Sequence, residues 1–450
     1  MTRKRERSRL LLNGPLRGLF MIPSFFLTFG LSHAQEPQVR NHEAFANDLQ
    51  AIQSVTLEEL QGVALQLNPT LIQARAQVSA SQGMALQAGL PPNPNAGYVS
   101  EQIGVNDTAG ELQGGFVSQE FVRGNKLGLS RAKYLQRSVI ARTNLTAQQI
   151  RVCNDVAMRF YSALAAQEKL DTYARLVDTA KDTVQTHQEM LNLGQLGEAE
   201  LLQAEVELQR QELILKQAKA KLEQAWRELM AFVGDPYRQL AKIEGSFEGQ
   251  DGPLDWESTL AQLMSSSPEI AAARQKVRHD QIAVQRERVE PIPNVTVQAT
   301  VGQNTEVGQT VAGVTVGLPI PILNRNQGTI RQAQADLARS SAEVTRLELQ
   351  LQAELTAKYE AHVTAWQHIQ EYETTMIPKS RLAVEKLDMM YKARRAPWLS
   401  VLNAKQNLLA LELDLIEKQL DFAIANIMVR GKMLTGGLTE PNGPVSGGHI

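Results

Sequence analysis

The sequence predicts a mostly α-helical chain that contributes four β-strands to a membrane barrel completed by other copies of the same chain. Three observations support this fold class: helices too long for one compact globule, short runs with one apolar face, and a layout that occurs twice along the 450 residues. Four strands cannot close a barrel of useful width, and open strand edges cannot face lipid. A closed assembly would also join the long helices into a tube.

Composition and charge exclude several classes of protein. The apolar fraction of 43% is too high for a disordered chain and too low for a bundle of membrane helices. A single cysteine, Cys153, excludes an intramolecular disulfide framework and a multi-cysteine zinc site. Without residues 1–34 the chain holds 40 basic and 47 acidic residues, a formal charge of −7. Such a chain is a poor candidate for nucleic-acid binding.

Residues 1–34 have the pattern of a secretory signal peptide. Basic residues cluster between Arg3 and Arg9, an apolar run covers 19–31, and Ser32-His33-Ala34 supplies small residues at a cleavage site. A single anchoring helix is the alternative, although the apolar run is short for a membrane span. Residues 35–54 would then form an extended N-terminal leader.

Similar motifs recur at an offset of 199 to 202 residues. Asn68-Pro69-Thr70-Leu71 matches Ser267-Pro268-Glu269-Ile270, and Leu201-Leu202-Gln203-Ala204 matches Val401-Leu402-Asn403-Ala404. A nearly constant offset along the chain indicates an internal two-fold repeat.

The repeat divides the rest of the chain into four segments. Residues 55–235 form the first repeat and 256–436 the second, with a Gly-rich and polar linker at 236–255. The Gly- and Pro-rich residues 437–450 are expected to be a disordered tail.

Each repeat is predicted to contain an opening helix (56–89; 256–289) that is interrupted near its start by Asn-Pro or Ser-Pro. Two strands, a very long helix and a last helix follow. The long helices cover about 127–192 and 328–392. Leucines repeat by sevens from Leu201 to Leu229, with small residues in the neighbouring seam position. A helix over 127–192 would extend roughly 100 Å. The heptads alone also fit a soluble coiled-coil spacer.

The strand-like runs favour a membrane barrel over that spacer. Two hairpins are predicted, at about 95–121 and 294–319, and the run 295–301 alternates apolar with polar residues. Runs of about ten residues suit a tilted transmembrane strand with lipid on one side and water on the other. An ordinary hairpin on a soluble domain is the alternative. Proline-rich corners at 91–94 and 319–321 suit a switch from helix to strand.

The sequence contains no pattern typical of a catalytic, cofactor or metal site. The seven histidines lack metal-ligand spacing, and His362 and His368 are six residues apart. No phosphate-binding loop and no nucleophile elbow occur. We therefore expect no enzyme activity, no cofactor and no metal site.

The segment Gly317-Leu318-Pro319-Ile320-Pro321-Ile322-Leu323-Asn324-Arg325-Asn326-Gln327-Gly328 extends this interpretation. Together with the signal peptide, the repeat, the strands and the heptads, it resembles the TolC-like outer-membrane efflux proteins, in particular their heavy-metal CzcC- and CusC-like branch. The resemblance implies a homotrimer, a 12-stranded β-barrel with four strands per chain, and a long periplasmic α-helical barrel. It also implies a passive exit duct that contacts a periplasmic adaptor (membrane fusion protein) and an inner-membrane pump, commonly of the resistance-nodulation-division type.

The resemblance places the periplasmic tips at the turns between paired helices. The candidate residues for adaptor docking are Gly194, Gln195, Leu196, Gly197, Ala396 and Pro397. The second turn has Ala393 and Pro397 where a glycine is often expected. The candidate residues for a periplasmic gate are Glu385, Asp388, Arg394 and Arg395. The alternatives are ordinary helical turns and a solvated charged face.

A periplasmic coiled-coil adaptor or scaffold without its own pore is the second candidate function. Such a protein would have one helical hairpin between β-rich halves, whereas two copies of the helix–strands–helix layout favour the duct. The cargo stays open between heavy-metal cations, which the branch suggests, and drugs, dyes or solvents. The duct would lie in the outer membrane, in contact with its lipid.

Overall fold

A computed structural model describes residues 54–103, 111–247, 252–441 and 443 of the chain. The predicted signal peptide and nearly all of the predicted leader lie outside the described residues. The first described strand, β1 (Ser54–Val55), pairs in parallel with β4 (Lys242–Ile243). The start of the first repeat is thereby tied to the segment that follows its last helix.

Nine α-helices and four longer strands make up the described chain, and their order is the same in the two halves. The first half contains α1 (Leu57–Leu67), α2 (Pro69–Gln87), β2 (Asn95–Glu101), β3 (Leu112–Phe121), α3 (Lys126–Asn192) and α4 (Glu198–Val233). The second half contains α5 (Trp256–Ser266), α6 (Pro268–Val289), β5 (Val295–Asn304), β6 (Gln309–Gly317), α7 (Gln327–Glu371), α8 (Ile377–Lys392) and α9 (Trp398–Arg430).

Each opening helix is broken at the residue before a proline. Asn68 and Ser267 have nearly identical extended backbones, with φ of −62° and −64° and ψ of 122° in both cases. Proline disfavours helical geometry in the residue before it, and that residue can cap the next helix. Asn68 accepts a hydrogen bond from the Thr70 amide, and Ser267 accepts one from the Ile270 amide. The interruption predicted near the start of each opening helix is therefore observed, and it divides the helix into two.

The long helix of the first half, α3, is unbroken over 67 residues. Its counterpart in the second half is divided into α7 and α8 by a π-helical turn at Tyr372–Met376. Both long helices follow an asparagine with a left-handed backbone, Asn125 at φ 55° and Asn326 at φ 59°. Asparagine adopts this conformation more readily than most residues.

The largest buried cluster lies where α1, α3 and α4 meet the small β1–β4 sheet. Leu60, Phe160, Trp226, Leu229 and Ile243 are among its fully or almost fully buried members. The indole nitrogen of Trp226 donates to the Arg238 carbonyl at 3.1 Å. This cluster fixes the middle of α3 relative to α4, whereas the two ends of α3 extend beyond it.

The first residues of the expected disordered tail are packed against the helices. The Asp155 carboxylate accepts hydrogen bonds from the amides of Gly436 and Gly437, at 3.0 and 2.5 Å. The Gly437 carbonyl in turn accepts from the Thr70 hydroxyl at 2.9 Å, and Pro441 is buried. The expectation of disorder is therefore wrong for residues 437–441, because buried polar groups on two helices bind this backbone.

One four-stranded antiparallel sheet combines the two hairpins in the order β2-β3-β5-β6. The central pairing, β3 with β5, joins the two halves of the chain and runs from Leu112 opposite Asn304 to Phe121 opposite Val295. Among the described residues, β2 and β6 each pair on one side only. The helices follow directly from the ends of this sheet.

Candidate functional site

One face of the sheet is apolar and exposed. The register places Val297 opposite Val316, and Ala299 opposite both Val117 and Val314, so these side chains share a face. Val314 is 73% exposed, which is far from the burial expected for a strand residue in a soluble core. The other apolar members of this face are Ala96, Tyr98, Phe121, Val295, Val301 and Ala312. A continuous exposed apolar face indicates contact with lipid or another protein.

The opposite face is mainly polar. Ser118 pairs with Gln298, and Gln298 with Thr315, so three polar side chains form a row across three strands. Phe116 is an exception on this face. Its ring lies over Gly97, where a β-carbon would be 2.7 Å from the ring, so that glycine provides the space for it. The two faces together have the apolar and polar sides of a transmembrane β-strand.

The length of the strands fits a bilayer. At about 3.4 Å per residue, the ten residues of β5 extend roughly 34 Å. With a tilt of about 40°, the strand would span roughly 25 Å along the membrane normal, which is the height of the apolar band of a membrane β-barrel. The longer strands of the sheet are therefore long enough to cross the hydrocarbon core of a bilayer. By contrast, none of the described helices has the length and apolarity that a membrane span requires.

The outer strands of the sheet need partners. Backbone amides and carbonyls along the free sides of β2 and β6 have no strand to bind among the described residues. Each unpaired polar group in a hydrocarbon environment would cost several kcal/mol. In a hydrocarbon environment this sheet would therefore need further strands at both edges.

The two turns between paired long helices have the same backbone despite different residues. In the first turn Gly194 has φ +71°, its amide donates to the Leu191 carbonyl, and Gln195 donates to the Met190 carbonyl. In the second turn Arg394 has φ +56°, and the corresponding bonds run from Arg394 to Tyr391 and from Arg395 to Met390. These are the paired hydrogen bonds of a left-handed helix C-cap.

The second turn thus carries an arginine where the first carries a glycine. The sequence predicts that Ala393 takes the position where a glycine is often found. In the structure the residue with positive φ is Arg394, and Ala393 comes directly before it. A non-glycine residue in the left-handed region costs roughly 1 kcal/mol. Pro397 precedes α9 with ψ 152°, as Gly197 precedes α4 with ψ 158°, so the proline fits this position without strain.

An aromatic cluster that the sequence analysis missed supports the second turn. The rings of Tyr391 and Trp398, on either side of the turn, have centroids 5.2 Å apart. The Lys405 ammonium lies 5.3 Å from the Trp398 ring. The sequence signal that could have predicted this cluster is the presence of two aromatic residues, Tyr391 and Trp398, on either side of a short turn. The first turn has Leu191, Glu198 and Glu205 at the equivalent positions.

The four candidate gate residues do not form a network within the described part of one chain. Asp388 forms an ion pair with Lys392 at 2.6 Å, one helical turn away, and this partner was missed. Glu385, Arg394 and Arg395 are exposed. Any bridge among them would therefore have to involve another copy of the chain.

His362 packs inside the second helical hairpin. His362 is completely buried and stacks on Phe422, with ring centroids 4.6 Å apart. Burial and the charge of Arg430 lower its pKa, so the neutral imidazole is favoured. Within the described ranges, no group of three or more His, Cys, Asp and Glu residues is placed to hold a metal ion.

Long helical hairpins attached to an amphipathic, open-edged sheet define an outer-membrane efflux channel fold. The structure of CusC matches with a TM-score of 0.69 at 16% identity, covering 84% of this chain and 92% of that chain. The MtrE outer-membrane channel of Neisseria gonorrhoeae matches with a TM-score of 0.67 at 17% identity, covering 85% and 90%.

Sequence comparison supports the same class. Residues 60–235 match the family model described as outer membrane efflux protein. The cobalt-zinc-cadmium resistance protein CzcC of Cupriavidus metallidurans is 26% identical over 357 residues, which cover 79% of this chain and 84% of CzcC. The resemblance of the chain to the TolC-like, CzcC- and CusC-like proteins is confirmed, and its residues 60–235 match the outer membrane efflux protein family. This is a family of efflux proteins rather than of enzymes.

Proposed function

We propose that three copies of this chain form a passive exit duct in the outer membrane. The observation that carries the proposal is the sheet, with its exposed apolar face, its mainly polar opposite face and its two open edges. The number of copies comes from the family, and three sheets of four strands would give a 12-stranded barrel. In this barrel β6 of one copy pairs with β2 of the next, so that each edge is covered.

The polar face would line a water-filled lumen, and the helices would continue the duct into the periplasm. The predicted signal peptide supports export of the chain to this compartment. The alternative of an adaptor or scaffold without a pore is less well supported, because the described chain has two long helical hairpins and a sheet suited to lipid. An adaptor of the expected kind would have one hairpin between β-rich halves.

The helical turns are the proposed docking surface for a periplasmic adaptor. The first turn is followed by Glu198 and Glu200, and the second contains Arg394 and Arg395, so the two tips differ in charge. The adaptor would connect the duct to an inner-membrane pump, which we propose is of the resistance-nodulation-division type. The exposed Glu385, Arg394 and Arg395 and the partly exposed Asp388 are proposed to close the tip through bridges between neighbouring copies. The conductance of Arg395→Ala tests this role.

Heavy-metal cations are the proposed cargo, because CzcC is named for resistance to cobalt, zinc and cadmium. A duct needs no binding site for its cargo, and selection would occur in the pump and adaptor. Metal tolerance of cells that carry this chain with a matching pump and adaptor would test the assignment. Unchanged metal tolerance together with increased tolerance of a dye or antibiotic would redirect the proposal to organic cargo.

A pair of adjacent substitutions on β6 tests the membrane barrel. Val314→Lys places a charge on the apolar face, where it would cost roughly 2–4 kcal/mol at the bilayer midplane. Thr315→Lys, one residue along, places the same charge on the polar face. We expect Val314→Lys to remove most of the heat-modifiable oligomer from the outer-membrane fraction, whereas Thr315→Lys inserts normally and lowers cation conductance in planar bilayers.

Equal insertion of the two variants would contradict the assignment of the faces. Recovery of the wild-type chain as a soluble periplasmic monomer would contradict the duct itself.

Lengthening the first tip tests docking. We expect two residues inserted after Gly194 to reduce efflux at least tenfold without loss of the oligomer, because the left-handed turn would no longer present Gln195 and Leu196 in place. The matched control is the same insertion after Gly308, an open turn with φ +69° at the other end of the molecule. Unchanged efflux with the longer tip would reject the docking surface.

A further inference from the structure

A basic cavity lies at the junction between the sheet and the helices of the first half. It has a volume of about 600 Å³ and is bounded by the end of α2, the start of α3, the end of α6 and the residues that lead into β2. Leu90 and Pro92 supply an apolar wall, and Lys133, Tyr134 and Arg286 supply the other side. The cavity therefore combines an apolar wall with two cationic groups and one carboxylate, that of Glu287.

The positive charge in this cavity is only partly compensated. The Lys133 ammonium and the Arg137 guanidinium lie on the ring of the buried Tyr134, each 5.3 Å from its centroid. Burial lowers the pKa of Lys133, and Arg286 and Arg137 lower it further, whereas Glu287 opposes these effects. Half-buried cations that destabilise one another would be stabilised by an anion between them.

The main partners of Arg286 fix its position. Its Nε donates to the Ser130 hydroxyl at 2.9 Å, and its guanidinium also pairs with Glu290. Glu290 additionally lies 3.8 Å from the Lys126 ammonium. Glu290 is thus shared between two cations. Glu287, the carboxylate that lines the cavity, faces the two cations Lys133 and Arg286, so the lining keeps a net positive charge.

The cavity is on the apolar side of the sheet, at its helical end. Gln119 shares a face with Val117 and Phe121, and its amide donates to the Pro92 carbonyl at 2.9 Å. Pro92 is three residues before Asn95, the first residue of β2. Glu120 and Thr296, on the polar face, line a different cavity. In a bilayer crossed by this sheet, the basic cavity would lie in the headgroup layer, which is roughly 5–8 Å thick on each side.

We propose that this cavity binds the phosphate of an anionic phospholipid in the inner leaflet of the outer membrane. This inference rests on the membrane placement proposed above. Lys133 and Arg286 would hold the phosphate by charge-assisted hydrogen bonds, and the acyl chains would lie along the apolar face beside Leu90 and Val117. The bound lipid would fill the corner between the barrel and the helices.

The site is specific to the first half of the chain. At the offset of 201 residues that aligns Ala132 with Ala333, the second half has Gln334, Ala335 and Ala338 in place of Lys133, Tyr134 and Arg137. We therefore expect one lipid per chain. The substitution Lys133→Gln introduces the residue that the second half already carries.

Thermal unfolding of the detergent-solubilised full-chain oligomer tests the site. We expect phosphatidylglycerol to raise the unfolding temperature of the wild type by several degrees more than phosphatidylcholine with the same acyl chains. Lys133→Arg and the distant control Lys181→Gln should keep this difference, and Lys133→Gln should lose most of it. Inorganic phosphate alone should have little effect.

Several results would overturn the proposal. An equal effect of phosphatidylglycerol on the wild type and Lys133→Gln would show that the cavity is not the site, and full reproduction by inorganic phosphate would assign it to a free anion. Native mass spectrometry of the wild type gives a measurement independent of any variant, since less than one retained phosphatidylglycerol per chain also rejects the site. A wild type that inserts as an outer-membrane oligomer but shows no lipid preference rejects this site alone, whereas a wild type recovered as a soluble periplasmic monomer rejects the proposed duct.

Discussion

The two helical hairpins of this chain follow the same plan, but they differ at two points along their length. In the first hairpin α3 is continuous over 67 residues and ends in a turn with Gly194. In the second, a π-helical turn separates α7 from α8, and the turn at the tip carries Arg394. The backbone can therefore keep one architecture while the two halves differ in local stability.

The π-helical turn of the second hairpin is explained by Pro378. Pro378 lacks the amide hydrogen that an α-helix would bond to the Thr374 carbonyl, and its ring would clash with that carbonyl. The π turn at Tyr372–Met376 lies immediately before it, with the Ile377 amide bonded to the Tyr372 carbonyl. At the equivalent position the first hairpin has Asp178, and no break is needed. A π-helical turn closes its hydrogen bond over one residue more than an α-helical turn, and this allows the helix to continue past the proline.

The largest stability effect should come from moving this proline to the other hairpin. We expect Asp178→Pro to destabilise α3 by about 3 kcal/mol, because α3 has no π turn to accommodate it. Pro378→Ala should change stability by less than about 1 kcal/mol, because its site is already adapted. Denaturant unfolding of the purified oligomer measures both variants. Equal losses from the two substitutions would show that the π turn is not the compensating feature.

Exchanging the residues with positive φ at the two tips should change the stability by less. Gly194→Arg should lower it, and Arg394→Gly should raise it. Gly194→Arg introduces a left-handed arginine and should cost roughly 1 kcal/mol, a penalty from the backbone alone because no atom lies within 4 Å of the added β-carbon. Arg394→Gly should remove such strain and stabilise by a similar or smaller amount. Thermal unfolding measures both. A loss of stability in Arg394→Gly would indicate that the arginine makes a compensating contact in the oligomer.

The smallest expected effect is a pH dependence confined to the second hairpin. The first hairpin has Ser162 where the second has the buried His362, whose pKa is lowered by burial and by Arg430. A base with a lowered folded pKa contributes stability that is present above its unfolded pKa of about 6.5 and is lost as the pH falls below it. Between pH 7.5 and 5, the wild type should therefore lose more stability than His362→Leu. Parallel pH profiles would contradict this role for the histidine.

The elements with the strongest patterns were predictable from the sequence. The predicted helix at 127–192 is observed at Lys126–Asn192, and the two predicted hairpins are observed as β2–β3 and β5–β6. Heptads and alternation are local signals that depend only on which face of an element is apolar. The ordered backbone of residues 437–441 could not be predicted in the same way. Asp155 and Thr70, which are distant in the sequence, hold this segment by hydrogen bonds to Gly437.

The candidate site also combines features that the sequence predicts with features that only the tertiary structure shows. The amphipathic strands and the positions of both helical turns follow from residue order, and so does the need for partner copies, because four strands with one apolar face cannot satisfy their edges in lipid. Only the tertiary structure shows that β3 pairs with β5, that Arg394 rather than Ala393 takes the left-handed position, and that Lys133, Tyr134 and Arg286 meet beside the sheet. Periodicity determines which side of an element is apolar, whereas the pairing of distant elements depends on which side chains fit together in three dimensions.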